Sequence, residues 1–95
     1  MVIGVCTIEL HIAGCGSLKE KRGIVKSLLA RLHREFNVSV AEVDLNDVWQ
    51  SAAIAVVVVT NGNAHAEQTL ERIVHWIEHN RPEVEVVAEQ VELIK

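Results

Sequence analysis

The stretch VIGVCTIELHI, residues 2–12, decides the fold together with AAIAVVVVT, residues 52–60. In the first stretch every second residue, from Val2 to Ile12, is apolar or glycine, which is typical of a strand with one face on a core. The second stretch is apolar on both faces, which indicates a central strand with little water on either side. We therefore expect a core built around a sheet.

Two segments with helical spacing follow these strands. Residues 17–20 (SLKE) have the form of a capping box, a serine N-cap with glutamate three residues later. The apolar stripe that follows is expected to end at Asn37. A second apolar stripe begins after Asn63, a candidate N-cap, and is expected to end near Asn80, because Pro82 lies just beyond.

Two more strands complete the pattern. Residues 38–45 have a polar outer end, and residues 83–94 alternate glutamate with valine, as edge strands do. The order strand, helix, strand, strand, helix, strand predicts an α+β, ferredoxin-like βαββαβ sandwich. Its four-stranded antiparallel sheet has the order 4-1-3-2, with both helices on one face. The length predicts one domain, residues 1–95.

The composition, with 49% apolar and 23% charged residues, is that of a globular protein. No apolar run reaches the length of a membrane span, so we expect no membrane partner. The N-terminus lacks the basic region of a signal peptide, and Cys6 and Cys15 do not form a C-x-x-C pair. These features predict a soluble, cytoplasmic protein.

Positive charge is concentrated in one segment of an acidic chain. Residues 17–36 carry six basic and two acidic side chains, whereas the rest carries three basic and eleven acidic ones. Cations at a helix N-terminus oppose the helix dipole, so something other than helix stability favours them here. The candidate nucleic-acid-binding residues are Lys19, Lys21, Arg22 and Lys26. The alternative is a solvated helix face paired with nearby glutamates.

Aromatic residues argue against one common mode of RNA recognition. RNA-recognition domains of this fold stack bases on aromatic side chains of the sheet. Here Phe36, Trp49 and Trp76 all lie outside the first and third strands. RNA contact is therefore expected through backbone phosphates or RNA shape. We interpret Trp49 as a cover over one end of the core.

The sheet face without helices is the predicted interface. Ile3 and Val5 of the first strand point to it, and the third strand offers either its alanine-rich set or the set containing Ile54, Val56 and Val58. Both choices leave an apolar centre, and an exposed apolar patch usually marks an interface. We expect a homo-oligomer through this face, with a shielded monomer as the alternative.

Three groups of residues are candidates for metal binding or catalysis. Carboxylates gather near the second hairpin at Glu42, Asp44 and Asp47, and His75 with His79 has a spacing that can chelate zinc. Neither set is complete, so solvated hairpin residues and surface histidines are the simpler interpretations. Cys15, just before a helix, lacks a neighbouring base. We expect no catalytic residue, no metal and no cofactor.

Three strings carry a family resemblance: SLKEKR at residues 17–22, FNVSVAEVD at residues 36–44 and WQ at residues 49–50. With them the chain resembles the bacterial YlxP-like family, a domain of unknown function, over nearly its whole length. The resemblance implies a small ferredoxin-like protein, often encoded beside translation and transcription-elongation factors. It implies no established activity or catalytic residue.

The leading hypothesis is a small non-catalytic accessory protein that touches structured RNA or a ribosomal particle through the basic first helix. The second is a homodimeric protein-interaction module that does not bind nucleic acid. The third is a small metal-binding protein or enzyme that uses the acidic hairpin or the histidines.

Overall fold

The computed structural model describes all 95 residues of the chain. Strands and helices follow one another in the order that the sequence pattern predicts. The elements are β1 (Val2–His11), α1 (Leu18–Glu35), β2 (Ser39–Asp44), β3 (Ser51–Thr60), α2 (Asn63–Asn80) and β4 (Glu85–Ile94). The sheet is antiparallel with the order β2-β3-β1-β4, which is the predicted order read from the other edge. The ferredoxin-like α+β fold is therefore confirmed.

One face of the sheet is covered by the two helices. In β1, Cys6, Ile8 and Leu10 are buried on this face. Their cross-strand neighbours in β3 include Val56, opposite Cys6, and Ile54, opposite Ile8. Each fully buried aliphatic side chain contributes about 1.5–3 kcal/mol, so this layer supplies much of the stability. The alanine-rich set of β3 therefore lies on the opposite, open face.

Gly4 of β1 shows how closely α2 approaches the sheet. A Cβ at this position would lie 3.1 Å from Val58 Cγ1, 3.2 Å from Leu70 Cδ1 and 3.3 Å from Ala66 Cβ. These three contacts are all tighter than ordinary packing and come from both the sheet and the helix. An added Cβ at Gly4 would therefore require these neighbouring side chains to shift by a few tenths of an ångström.

The beginning of α1 follows the predicted capping pattern, with one difference. Ser17 is the N-cap, and its Oγ accepts a hydrogen bond from the Glu20 backbone N–H at 3.1 Å. The Glu20 carboxylate in turn accepts a hydrogen bond from Gly16 N at 3.2 Å, one residue earlier than in the standard capping box. Both bonds hold the loop before α1 against its first turn.

The beginning of α2 differs from the prediction. Gly62, not Asn63, is the N-cap, and it supplies no side-chain hydrogen bond. Thr60 holds this turn instead, because its Oγ1 donates to Gly62 O at 2.8 Å and accepts from Gly62 N at 3.0 Å.

Neither α1 nor α2 is long and apolar enough to cross a membrane.

Candidate functional site

The solvent side of α1 carries the exposed cations of the first half of the helix. Lys19, Arg22 and Lys26 are all exposed, and their spacing of three and four residues places them on one side. None of the three forms an ion pair with a carboxylate of the chain. Their charge is therefore available to a ligand. We call these three residues the cationic face.

Lys21 does not belong to the cationic face, which corrects the prediction that it contacts nucleic acid. Its side chain is fully buried. The ammonium donates to Leu45 O at 2.7 Å and to Asn46 O at 3.2 Å, and it lies 2.6 Å from Glu42 Oε2. Lys21 points toward the sheet because it falls on the buried stripe of α1, two residues out of phase with Lys19. The protein's own oxygens satisfy it.

The Lys21 ammonium fastens the β2–β3 connection to α1. The contact of the Lys21 ammonium with Glu42 Oε2 is an ion pair in which the ammonium is buried. The connection itself turns through Leu45, whose φ of 62° is left-handed. A leucine is strained in that conformation, and the Lys21 bond to Leu45 O helps to hold it.

Arg31, in the second half of α1, is a cation that is already paired. Arg31 lies 3.3 Å from Glu35 and also stacks over the Trp76 ring, with 5.4 Å from its guanidinium carbon to the ring centroid. Phe36 meets the same ring edge-on at 6.4 Å. These contacts join the end of α1 to α2, so we exclude Arg31 from the cationic face.

Arg81, at the end of α2, is a further buried cation beside α1. It donates to Ser27 Oγ at 3.2 Å and to Glu83 Oε2 at 3.1 Å. Partial burial alone raises the pKa of Glu83, but the hydrogen bond from Arg81, a backbone bond and the Arg81 charge leave that pKa below its ordinary value of 4.5. Arg81 therefore holds α1 and the start of β4 together and adds no unpaired charge.

The open face of the sheet divides into two ends that differ in chemistry. At one end Ile3 lies between Val59 and Ile94 in the register, and Val5 lies between Val57 and Glu92. Val59 is 63% exposed and Ile94 is 46% exposed. We define the apolar end by the side chains Ile3, Val5, Val57, Val59 and Ile94. Ile3 and Val5 thus lie where the predicted interface requires them.

The other end of the open face is built from small and acidic residues. Thr7 lies between Ala55 and Gln90, and Glu9 lies between Ala53 and Ala88. Strand β3 thus presents its alanine-rich set here, one of the two predicted choices. No strand contains a lysine or an arginine. The open face therefore has no cation of the Lys or Arg type to neutralise its carboxylates.

The cysteines lie in environments that suppress reactivity. Burial, with the charge of Glu89 as a second cause, raises the pKa of the Cys6 thiol to about 11. A thiol with that pKa carries almost no thiolate at neutral pH, so Cys6 is a poor nucleophile. Cys15 is buried, and its Sγ donates to Ser17 O at 3.3 Å. Both side chains pack in the core cluster.

The hypothesis of metal or acid–base chemistry finds no assembled site. No group of three His, Cys, Asp or Glu side chains comes together in a way that could hold a metal ion. Glu42 is taken up by Lys21. His79 Nδ1 lies 2.8 Å from His75 O, so one nitrogen of its ring faces its own helix backbone. The i, i+4 spacing of the two histidines thus places the His79 ring against the backbone carbonyl of His75.

Trp49 is the residue whose sequence interpretation is wrong. It is 53% exposed, and it does not cover the end of the core. The segment that contains it is held at three points, by Lys21, by Val48 N to Leu45 O at 3.0 Å and by Ile12 N to Gln50 O at 2.8 Å. The sequence feature that favours exposure of Trp49 is its position outside both β2 and β3, after Asn46 and Asp47.

The family of the chain is shown by its sequence. Residues 3–91 match the model of a family described as "Protein of unknown function (DUF503)". The chain belongs to the DUF503 family. It is also 36% identical over 84 residues to "Uncharacterized protein YlxP" of Bacillus subtilis (strain 168), covering 88% of this chain and 90% of that protein. The predicted YlxP-like resemblance is confirmed.

Similarity to a solved structure concerns the fold of this DUF503 protein alone. A protein titled "De novo designed protein Foldit4" superposes with a TM-score of 0.53 at 16% sequence identity. The match covers 100% of this chain and 98% of the designed one. An idealised sequence therefore reaches a similar arrangement of strands and helices, and that arrangement does not specify a function.

Proposed function

We propose that this DUF503 protein is a non-catalytic accessory protein that binds structured RNA, free or in a ribosomal particle, through the cationic face. The observation that carries the proposal is the set of three exposed, unpaired cations in the first half of α1, on a chain with a net charge of −4. Because the rest of the chain is acidic, a polyanion is attracted to this face and repelled from most others.

The spacing of the cationic face suits consecutive phosphates. Lys19 and Lys26 are seven residues apart, which at 1.5 Å per residue is about 10 Å along α1. A nucleic-acid duplex offers about three phosphates of one strand over that distance. No Phe, Tyr or Trp lies in any strand, and the only histidine in a strand is His11 at the end of β1, so base stacking on the sheet has no place in this proposal. Affinity comes from phosphate contacts, which carry little sequence information.

The test is salt-dependent binding of a labelled RNA hairpin and of purified ribosomal subunits. Three phosphate contacts predict a slope of log K against log salt of about −2 to −3, so affinity falls about 15- to 60-fold between 50 and 200 mM salt. The variant Lys19→Gln/Arg22→Gln/Lys26→Gln is expected to lose this binding. Arg72→Gln, which removes an exposed arginine of α2, is the control and should bind normally.

Two outcomes contradict the RNA proposal. Binding that does not change with salt, or no binding at all, removes the phosphate contacts. Equal loss of affinity in Arg72→Gln and in a single variant of the cationic face shows that net charge, not this surface, attracts the RNA.

We propose a second role, self-association through the apolar end of the open face, and a specific observation favours it. Val59 and Ile94 are large, exposed and adjacent to Ile3 in the register. Contiguous exposed apolar surface is usually an interface. This role gives a homodimeric module and places the contact on the side of the sheet away from α1, so it is compatible with RNA binding.

Sedimentation at tens of micromolar measures this self-association. We expect a dimer in the unmodified chain and a monomer in Val59→Lys, because one lysine per subunit places two charges in an apolar contact. Val87→Lys, which changes another exposed valine that lies outside the apolar end, is the control and should stay dimeric. A monomer in the unmodified chain contradicts the proposal.

A further inference from the structure

A groove crosses the acidic end of the open face. It has a volume of about 460 Å³ and touches all four strands. Its floor is low because Ala53 and Ala88 flank Glu9 on the neighbouring strands and offer only methyl groups. The residues that line it and enter the argument are Thr7, Glu9, Val43, Asp44, Ala53 and Ala88.

The carboxylates at this groove have no cationic partner. Neither Glu9 nor Asp44 takes part in an ion pair. Asp44 Oδ1 accepts one hydrogen bond, from Leu45 N at 2.8 Å, and its charge stays uncompensated. No lysine or arginine occurs in any of the four strands. The charge of the groove is thus the opposite of that of the cationic face on α1.

Exposed apolar side chains occur in β2 and in the β2–β3 connection: Val43 lines the groove, and Val48 and Trp49 follow β2 along the chain. Val43, Val48 and Trp49 are 53%, 43% and 53% exposed. Lys21 holds the segment that carries Val48 and Trp49, through its bonds to Leu45 O and Asn46 O. Tryptophan on an anchored segment binds with little loss of conformational entropy, and tryptophans dominate the binding energy of many protein interfaces.

We propose that this groove, with Val43 in its lining and with Val48 and Trp49 in the connection that follows β2, binds a segment of a partner protein in which arginine or lysine alternates with apolar residues. Charge complementarity selects this occupant. Phosphates are repelled by Glu9 and Asp44, and a second copy of the same end would place like charges opposite each other. The proposal concerns the side of the sheet opposite α1, so it does not depend on RNA binding.

The test is a titration of the ¹⁵N-labelled chain with a synthetic peptide in which arginines alternate with leucines and serines. We expect shift changes centred on Thr7, Ala53, Ala88 and the Trp49 indole. Two further peptides are the probes of mechanism: one replaces every arginine by glutamate, and one replaces every leucine by serine. Both are expected to bind at least about ten-fold more weakly than the parent peptide.

Variants locate the contact. Glu9→Lys is expected to weaken binding about ten-fold, and Asp44→Lys serves as the second variant should Glu9→Lys fail to fold. Glu67→Lys is the matched control, because it makes the same change in net charge at an exposed position on α2 that lies outside the groove. Trp49→Ala is expected to weaken binding without changing its dependence on salt.

Several results overturn the proposal and identify what occupies the groove. Equal weakening by Glu67→Lys and Glu9→Lys shows only diffuse attraction to an acidic protein. Equal binding of the leucine-free peptide shows that Val43 and Trp49 contribute nothing. Shifts of these resonances with protein concentration alone assign the groove to a second copy, and shifts with an RNA hairpin assign it to nucleic acid. If the chain binds the peptide but does not bind RNA, only the RNA proposal is contradicted.

Discussion

The two sides of α1 use the same kind of residue for opposite purposes. On the underside, Lys21 is fully buried and bound by Glu42 and two carbonyl oxygens. On the solvent side, Lys19 lies two residues before Lys21 and Arg22 lies one residue after it. Both are exposed and form no ion pair. Helical phase, and not residue type, therefore decides whether a cation of α1 supports the fold or stays exposed and available to a ligand.

The largest expected effect in this comparison is that of Lys21→Ala. Removing one member of a buried ion pair leaves the other uncompensated, which costs about 3 kcal/mol or more. Leu45 O and Asn46 O lose their donor at the same time. Thermal denaturation should show a decrease in Tm of more than about 10 °C for a domain of this size.

The control for Lys21→Ala is the double change Lys21→Met/Glu42→Leu. Replacing both members of a buried pair by apolar residues is often neutral, so the double variant should regain much of the stability that the single one loses. A cost below about 1 kcal/mol for Lys21→Ala would mean that Lys21 is not the anchor of the β2–β3 connection.

The sequence predicts those features of the fold whose signals lie within short segments of the chain. Strand alternation, the Ser17 cap and the position of Pro82 lie within short segments, so the element order and sheet order are predictable. The partner of Lys21 is not, because Leu45 lies 24 residues away and is brought near only by the fold. Lys21 lies on the buried stripe of α1, whereas the positive charge of its segment favours an exposed position.

The position of Trp49 is also not predictable from the sequence. Tryptophan side chains are mostly buried in proteins, so the general tendency of this residue type predicts a core position. Its exposure depends on how Lys21 and Ile12 hold residues 45–50, which are contacts between distant parts of the chain. The apolar end and the acidic end of the open face likewise depend on register, since a shift by one residue exchanges the two faces of a strand.

Gly23→Ala is expected to have the next largest effect, with the opposite sign. Gly23 lies in the interior of α1 on the exposed side, and an added Cβ meets no atom within 4 Å. Glycine at such a site costs about 1 kcal/mol relative to alanine, so Gly23→Ala should stabilise the protein by that amount. Urea denaturation measures the change. Destabilisation would show a close contact to Gly23 in solution, such as a second subunit.

Glu83→Gln is expected to have a smaller effect that depends on pH. The folded pKa of Glu83 lies below its ordinary value of 4.5, so its ionised form stabilises the fold above that pH. This contribution is lost as pH falls through the folded pKa. Because the side chain is 40% exposed, solvent screening keeps the contribution below about 1 kcal/mol. The unmodified chain and Glu83→Gln should therefore differ at pH 7, and this difference should shrink as pH falls from 4.5 through the folded pKa of Glu83. A constant difference at all pH values would contradict a role for the charge.

The smallest expected effect on stability belongs to the cationic face, and it separates the two sides of α1 most sharply. Cations in the first turns oppose the helix dipole by a few tenths of a kcal/mol each, and no carboxylate of the chain compensates them here. The variant Lys19→Gln/Arg22→Gln/Lys26→Gln should therefore unfold within about 0.5 kcal/mol of the unmodified chain, with any change toward greater stability at low salt. A loss above 1 kcal/mol would show that these side chains support the fold, as Lys21 does. Unchanged stability together with lost RNA binding is the combination that a surface kept for a ligand requires, because such a surface contributes to binding and not to folding.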